Sequence, residues 1–194
     1  MTSKENVNSN VIVGIFSSLR SSQVFWILSF TALTAIAAQI TIPVKPVPIT
    51  LQTMMVLLAG ALLGPKRGAY SQLIYLTLGA IGLPIFAQTP DGLYGIARLF
   101  GPTGGYLLAF PAAAFLVGYL VQKNKKYYSV VLSMFAGNLL IIIAGTLFLN
   151  LFYLNNLFDA VTAGAAIFSI WMVVKVFTAA ALYFGISRKY EILP

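Results

Sequence analysis

The sequence predicts an all-α integral membrane protein, a single domain over residues 1–194 built as a bundle of six transmembrane helices with both termini cytoplasmic. Three observations predict it. Of 194 residues, 59% are hydrophobic and only 8% charged, against roughly 25% charged in a soluble domain. The mean hydropathy is +0.90, so most of the surface suits acyl chains better than water. The apolar residues also fall into blocks separated by prolines, glycines and basic runs, and ~20 apolar residues per span leave room for about six spans and little else.

Taken in order, residues 1–22 are polar and carry Lys4, Glu5 and Arg20. They lack the continuous apolar core of a cleaved signal peptide and read as an interfacial segment. The first span is predicted over Val24–Ile40. It stops at Ile42-Pro-Val-Lys-Pro-Val-Pro48, where the prolines remove backbone donors and hold their predecessors extended. A second span over Ile49–Leu63 ends at Gly64-Pro-Lys-Arg67, and a third runs over Gly68–Leu83 to Pro84. Residues 84–102 contain the turn-rich Ala87-Gln-Thr-Pro-Asp-Gly92 and are not a spanning pattern. A fourth span over Thr103–Val121 precedes Lys123-Asn-Lys-Lys126. The fifth covers Ser129–Leu149, and a loop through Asn155, Asn156 and Asp159 leads to the sixth, Ala165–Ile186. The second and third are short for a ~30 Å hydrocarbon core, so their ends extend into flanking segments.

The charges orient the bundle. Twelve Lys and Arg against four Asp and Glu give a net charge of +8, which in a soluble protein would point to nucleic acid. Here Lys4, Arg20, Lys66, Arg67, Lys123, Lys125, Lys126, Arg188 and Lys189 fall on the side of the termini, and only Lys45 and Arg98 fall opposite. Cytoplasmic loops are enriched in Lys and Arg, so the proline segment, the third loop and the Asp159 loop share the outer face. Small residues at four-residue spacing, Thr31/Ala35, Thr34/Ala38 and Gly60/Gly64, allow close helix approach. They serve packing within the bundle or docking of another membrane subunit.

The residue inventory excludes several chemistries. There is no cysteine or histidine, hence no thiol or imidazole chemistry and no cluster to hold a metal. Gly60-Ala-Leu-Leu-Gly-Pro-Lys66 only superficially resembles a phosphate-binding loop. All four acids, Glu5, Asp91, Asp159 and Glu191, lie outside the predicted spans. Ion-coupled transport usually places a carboxylate within the membrane, and hydrolysis needs a general base. The chain therefore reads as neither an enzyme nor a self-energised pump.

What remains points to small-molecule binding. Lys175 stands inside the last span, where a lysine costs ~2.5–3.5 kcal/mol. A ligand, water or backbone carbonyls must compensate it. Arg98 lies just before Leu99-Phe-Gly-Pro-Thr-Gly-Gly-Tyr106, whose glycines and Thr103, as a helix N-cap, would suit an anionic group; a tight turn without a ligand explains the same glycines. Gln52 and Thr53 enter the second span just after the prolines, and Gln52 is too costly in lipid to face outward. Gln88 is placed to reach the same outer cavity. Tyr75, Phe86, Tyr94, Tyr106 and Trp171 are candidate walls.

Four blocks in order, Val44-Lys-Pro-Val-Pro-Ile-Thr-Leu-Gln-Thr-Met-Met-Val-Leu-Leu-Ala-Gly60, Leu62-Leu-Gly-Pro-Lys-Arg-Gly68, Leu78-Gly-Ala-Ile-Gly-Leu-Pro-Ile-Phe-Ala87 and Phe100-Gly-Pro-Thr-Gly-Gly-Tyr106, resemble the BioY family. These are the biotin-specific S components of energy-coupling factor (ECF) transporters. The resemblance covers about residues 30–185. It implies a six-helix binding subunit of a bacterial plasma membrane importer, multi-pass and with its pocket near the outer face. A separate transmembrane subunit and two ATPases would supply the energy, so this chain needs no cofactor and only its partners use ATP. Biotin would offer its carboxylate to Arg98 or the Gly101–Tyr106 turn, its ureido ring to polar side chains including Lys175, Gln52 and Gln88, and its apolar parts to Tyr75, Phe86, Tyr106 and Trp171. Thr34/Ala38 is the nearest small pair for docking the partner subunit.

One position departs from the family pattern. The Asp typical three residues before the lysine is Met172 here. Met can neither accept from ureido N–H groups nor neutralise Lys175, so the resemblance implies another acceptor such as Gln52 or Gln88, a lower affinity, or a different ligand. A stand-alone facilitator or secondary transporter for a small amphipathic carboxylate is the alternative reading.

Overall fold

The computed structural model describes residues 22–89, 92–163 and 168–189, with backbone alone at 168–170, 188 and 189. It is mainly helical: α1 (Gln23–Gln39), β1 (Thr41–Ile42), β2 (Ile49–Thr50), α2 (Gln52–Leu63), α3 (Pro65–Ala80), α4 (Ala97–Phe100), α5 (Gly104–Leu108), α6 (Phe110–Lys123), α7 (Tyr127–Leu149), a π-turn (Asn150–Leu154), α8 (Leu157–Val161) and α9 (Phe168–Lys189). Gly104–Lys123 and Tyr127–Leu154 are each long and apolar enough to cross a bilayer, while Gln23–Gln39, Gln52–Leu63 and Trp171–Ser187 are shorter apolar helices.

Each predicted span overlaps a described helix, the fourth overlapping two, α5 and α6, and the differences at the ends have local causes. The second begins at Gln52 rather than Ile49 because Ile49 and Thr50 pair antiparallel with Ile42 and Thr41. The proline segment is thus the tip of a short hairpin, and Lys45-Pro46 is cis. The third begins at Pro65 instead of Gly68. Gly64 sits at φ 80°, a region open to glycine, and Pro65 fills the first helical turn, where its missing N–H costs nothing. The fourth is interrupted at Ala109, just before Pro111. The start of the sixth predicted span, Ala165–Ile167, lies outside the described residues, as do Lys4, Arg20 and Asp91.

Helix α2 is the centre of the bundle, in contact with α1, α3, α6, α7 and α9. Its 12 residues rise only about 18 Å, and all except Met55 are buried. A helix this short is tolerated because protein, not lipid, surrounds it. Outward-facing Leu28, Ile36, Leu132, Ile143 and Phe177 are exposed, as a lipid-facing surface requires.

Close helix crossings use glycine. A Cβ on Gly60 would stand 2.2 Å from the Ala114 carbonyl oxygen, and one on Gly118 would stand 2.5 Å from Pro65 N. Gly60/Gly64 therefore packs α2 and its turn against α6 and α3. The Thr34/Ala38 pair also turns inward: both residues are 0% exposed, and the Thr34 hydroxyl accepts from Gln72 Nε2 at 3.3 Å. Thr34 thus joins α1 to α3, and with Ala38 buried as well the pair does not present a docking face. Helical rotation puts Thr34 and Ala38 on one stripe, and that stripe is buried inside the bundle.

Candidate functional site

The hairpin, α2, the third loop and the α4–α5 corner converge at one end of the bundle, above an apolar cluster containing Val47, Val56, Tyr75, Phe86, Tyr106, Phe110 and Ile141. There they enclose a cavity of about 40 Å³, walled by Val47, Pro48, Thr50, Gln52 and Thr53 on one side and by Ala87, Arg98, Thr103, Tyr106, Leu107 and Phe110 on the other. One turn of proline-stiffened chain delivers the first group, because Val47 and Pro48 lead directly into β2 and the first turn of α2. The Arg98-to-Tyr106 corner delivers the second.

Polar side chains in the wall hold one another. The Thr50 hydroxyl donates to Gln52 Oε1 at 3.0 Å, and Gln52 Nε2 donates to the Tyr75 hydroxyl. Tyr75 in turn donates to the Ile85 carbonyl at 3.2 Å. The Tyr75 ring meets Phe86 edge-on at 5.4 Å and stacks on Phe110 at 6.4 Å. This chain of contacts fixes the Gln52 amide and ties α2 to the start of the third loop. Arg98 is 2% exposed, and its Nη2 donates to the Ala87 carbonyl at 2.7 Å. A buried guanidinium holding a loop carbonyl keeps a positive charge in the wall.

Lys175 is 4% exposed and turns towards this end of α2. Its Nζ donates to the Thr53 hydroxyl at 2.8 Å and to the Thr50 carbonyl at 3.2 Å. Both acceptors line the cavity, so the ammonium is anchored to the wall while remaining outside it. Asp159 is the only acid among the described residues, and it is exposed. The residue one turn before Lys175, Met172, is half-buried and packs on the cluster containing Met54, Val176 and Ala179.

The structure thus brings together Gln52, Arg98 and Tyr106 in the wall, Tyr75 and Phe86 directly behind it, and Lys175 one hydrogen bond away. Two candidates stand elsewhere. Gln88 is exposed and lines a separate cavity of about 240 Å³ under the third loop, with Leu83, Phe86, Thr89 and Tyr94. Trp171 is 44% exposed and does not line either cavity. Proximity in sequence suggested both, but Gln88 is exposed on the third loop while Ala87 before it borders both cavities, and Trp171 is far more exposed than Lys175 one turn later.

Sequence reading missed Thr50, Val47, Leu107 and Phe110 as wall residues, since nothing in their types marks them. Thr53 and Thr103 carried a signal of position only. Thr103 does occupy the residue before α5, yet its side chain makes no capping bond. At φ −94° and ψ −1° it lacks the extended backbone a capping hydroxyl uses. The glycines beside it serve close packing: a Cβ on Gly104 would lie 1.9 Å from the Leu99 carbonyl oxygen, and one on Gly105 would lie 2.3 Å from Phe148 Cβ.

Known proteins resemble this chain in sequence and in fold. Residues 7–192 match the BioY family model. A probable biotin transporter BioY of Pyrococcus horikoshii is 41% identical over 161 residues, which is 83% of this chain and 93% of that protein. The biotin transporter BioY of Thermotoga maritima is 39% identical over 159 residues, 82% of this chain and 92% of that one. A crystal structure of the S-component for biotin from an ECF-type ABC transporter superposes with a TM-score of 0.79 at 25% identity, covering 97% of this chain and 95% of its own. A match over nearly the whole length, in sequence and in fold, has one reading: this chain belongs to the BioY family.

Proposed function

We infer that this chain is the biotin-capturing S component of an ECF-type importer. It is a transporter subunit and not an enzyme, in keeping with relatives that are named biotin transporters. The observation that carries the reading is the cavity itself, where buried Arg98, Gln52 and the Lys175-anchored Thr50 and Thr53 sit beside the apolar walls of Val47, Tyr106 and Phe110. Such a site combines an anion partner, amide and hydroxyl groups for a urea, and an apolar surface for a fused ring and alkyl tail. Biotin carries all three.

In this reading Arg98 takes the carboxylate end, and Gln52 and Lys175 take the ureido end. Tyr75, Phe86 and Tyr106 shape the wall. The cavity of about 40 Å³ is far below the roughly 300 Å³ at which ligand pockets begin, so binding requires it to open. Ala87 borders both this cavity and the one of about 240 Å³ under the third loop. Exchange of the Arg98–Ala87 bond for an Arg98–ligand bond would join the two, with the hairpin and the third loop closing over the occupant.

The same reading sets the chain in the bacterial plasma membrane as six spans: α1, α2, α3, the α5–α6 pair, α7 and α9. Both termini are cytoplasmic, because Lys66, Arg67, Lys123, Lys125 and Lys126 then lie inside and Lys45 and Arg98 outside. An ECF module of one coupling subunit and two ATPases supplies the energy, and the chain itself takes no cofactor. Calorimetric titration of biotin into the purified chain tests the proposal, together with mass spectrometry of copurified small molecules. Saturable heat and retained biotin are expected. No binding in detergent or in lipid nanodiscs would remove the biotin assignment, and biotin uptake by vesicles containing this chain alone would replace it with a stand-alone facilitator or secondary transporter.

A further inference from the structure

Thr103 carries a feature that packing does not explain. It is 7% exposed, lines the cavity, and its hydroxyl oxygen is buried without a hydrogen-bond partner among the protein groups. Two backbone bonds beside it do not involve the hydroxyl: Gly104 N donates to the Gly101 carbonyl at 2.8 Å, and Leu107 N donates to the Thr103 carbonyl at 3.2 Å. The hydroxyl caps nothing. Folding is therefore better served by valine, which has the same shape and no polar group to desolvate.

We propose that Thr103 is a ligand-contacting residue whose hydroxyl, together with the Arg98 guanidinium, grips the carboxylate of the bound molecule. This rests on the biotin-capture reading above. Arg98 and Thr103 flank the same corner, five residues apart across Gly101-Pro102, and both border the cavity. A hydroxyl offers one donor, and a carboxylate beside an arginine accepts more bonds than the guanidinium alone can fill. The ligand completes the hydrogen bonding of a residue that the protein alone leaves incomplete.

The test uses the full chain and two ligands, biotin and biotin methyl ester. Thr103→Val should weaken biotin about ten- to hundred-fold, weaken the ester much less, and leave the melting temperature of the ligand-free protein unchanged or raised. Thr103→Ser, which keeps the hydroxyl, should bind biotin like the wild type. If Thr103→Val does not fold, Thr103→Ala provides the same comparison. Equal affinity of wild type and Thr103→Val for biotin overturns the proposal while leaving the biotin reading in place. So does an equal loss for acid and ester, or a melting temperature lowered by more than ~3 °C, which would reveal a structural bond. A wild type that binds no biotin overturns both.

Discussion

Replacing Lys175 with methionine separates folding from binding more cleanly than any other single change. On the folding side the opposing effects nearly cancel. The substitution removes a cation whose mid-span insertion costs ~2.5–3.5 kcal/mol. It also removes the donors held at 2.8 Å by Thr53 and at 3.2 Å by Thr50. Thr53 is the second residue of α2, so its hydroxyl can turn back only to the Thr50 or Ile49 carbonyl before the helix, and the lasting loss is at most one buried hydrogen bond, at about 1–3 kcal/mol. The net change in stability falls within about 2 kcal/mol of zero. On the binding side nothing offsets the loss. A hydrogen bond from a charged donor contributes ~1.5–3 kcal/mol, so the biotin Kd should rise roughly ten- to hundred-fold. Calorimetry on the purified variant, with thermal unfolding of the same sample, reads both quantities. Lys123→Met is the control, because Lys123 is exposed and stands 4.2 Å over the Tyr119 ring, remote from the cavity walls. A folded Lys175→Met protein with biotin affinity within about three-fold of wild type would refute a role for the ammonium in recognition.

Three further outcomes are expected. Gly60→Ala forces apart α2 and α6, whose backbones leave no room for a methyl group, and should lower stability by about 1–3 kcal/mol; an unchanged unfolding temperature would mean that the crossing is looser than described. Trp171→Ala should alter the biotin Kd by less than about two-fold, since surface substitutions away from a site stay within ~0.5 kcal/mol, and a ten-fold loss in calorimetry would return the indole to the pocket. Met172→Asp places a carboxylate one helical turn from Lys175, where residues three apart are neighbours. It should tighten biotin binding about ten-fold, and unchanged or weaker binding would show that the ligand does not reach this level of α9.

Composition and the spacing of chain breakers suffice for the mainly helical class and the main helices, but not for the β1–β2 hairpin or the short helices α4 and α8. With 8% charged residues the chain has no way to cover itself in water, and the Ile42–Pro48 segment, Gly64-Pro65 and Pro84 fall between helices, so the main helices were legible without tertiary information. The family was legible too, because its motifs are local strings such as Phe100-Gly-Pro-Thr-Gly-Gly-Tyr106. The need to shelter Lys175 and Gln52 from lipid follows from residue type alone, since a charge or amide in hydrocarbon must find a partner.

Which partners they find depended on the packing. Trp171 and Lys175 are four residues apart on one helix, so rotation puts them on nearly the same face. Lys175 nevertheless meets the first turn of α2, while Trp171 is 44% exposed. Thr34 and Ala38 form as good a small-residue stripe as Gly60 and Gly64, but both pairs are already covered within the bundle. Thr103 occupies the position of a helix cap but makes no capping bond, since its backbone angles are not the extended ones a cap uses, and it lines the cavity. Sequence determines what each residue must avoid or seek; only the arrangement of neighbouring helices, set by long-range contacts that no local window contains, decides which group satisfies it.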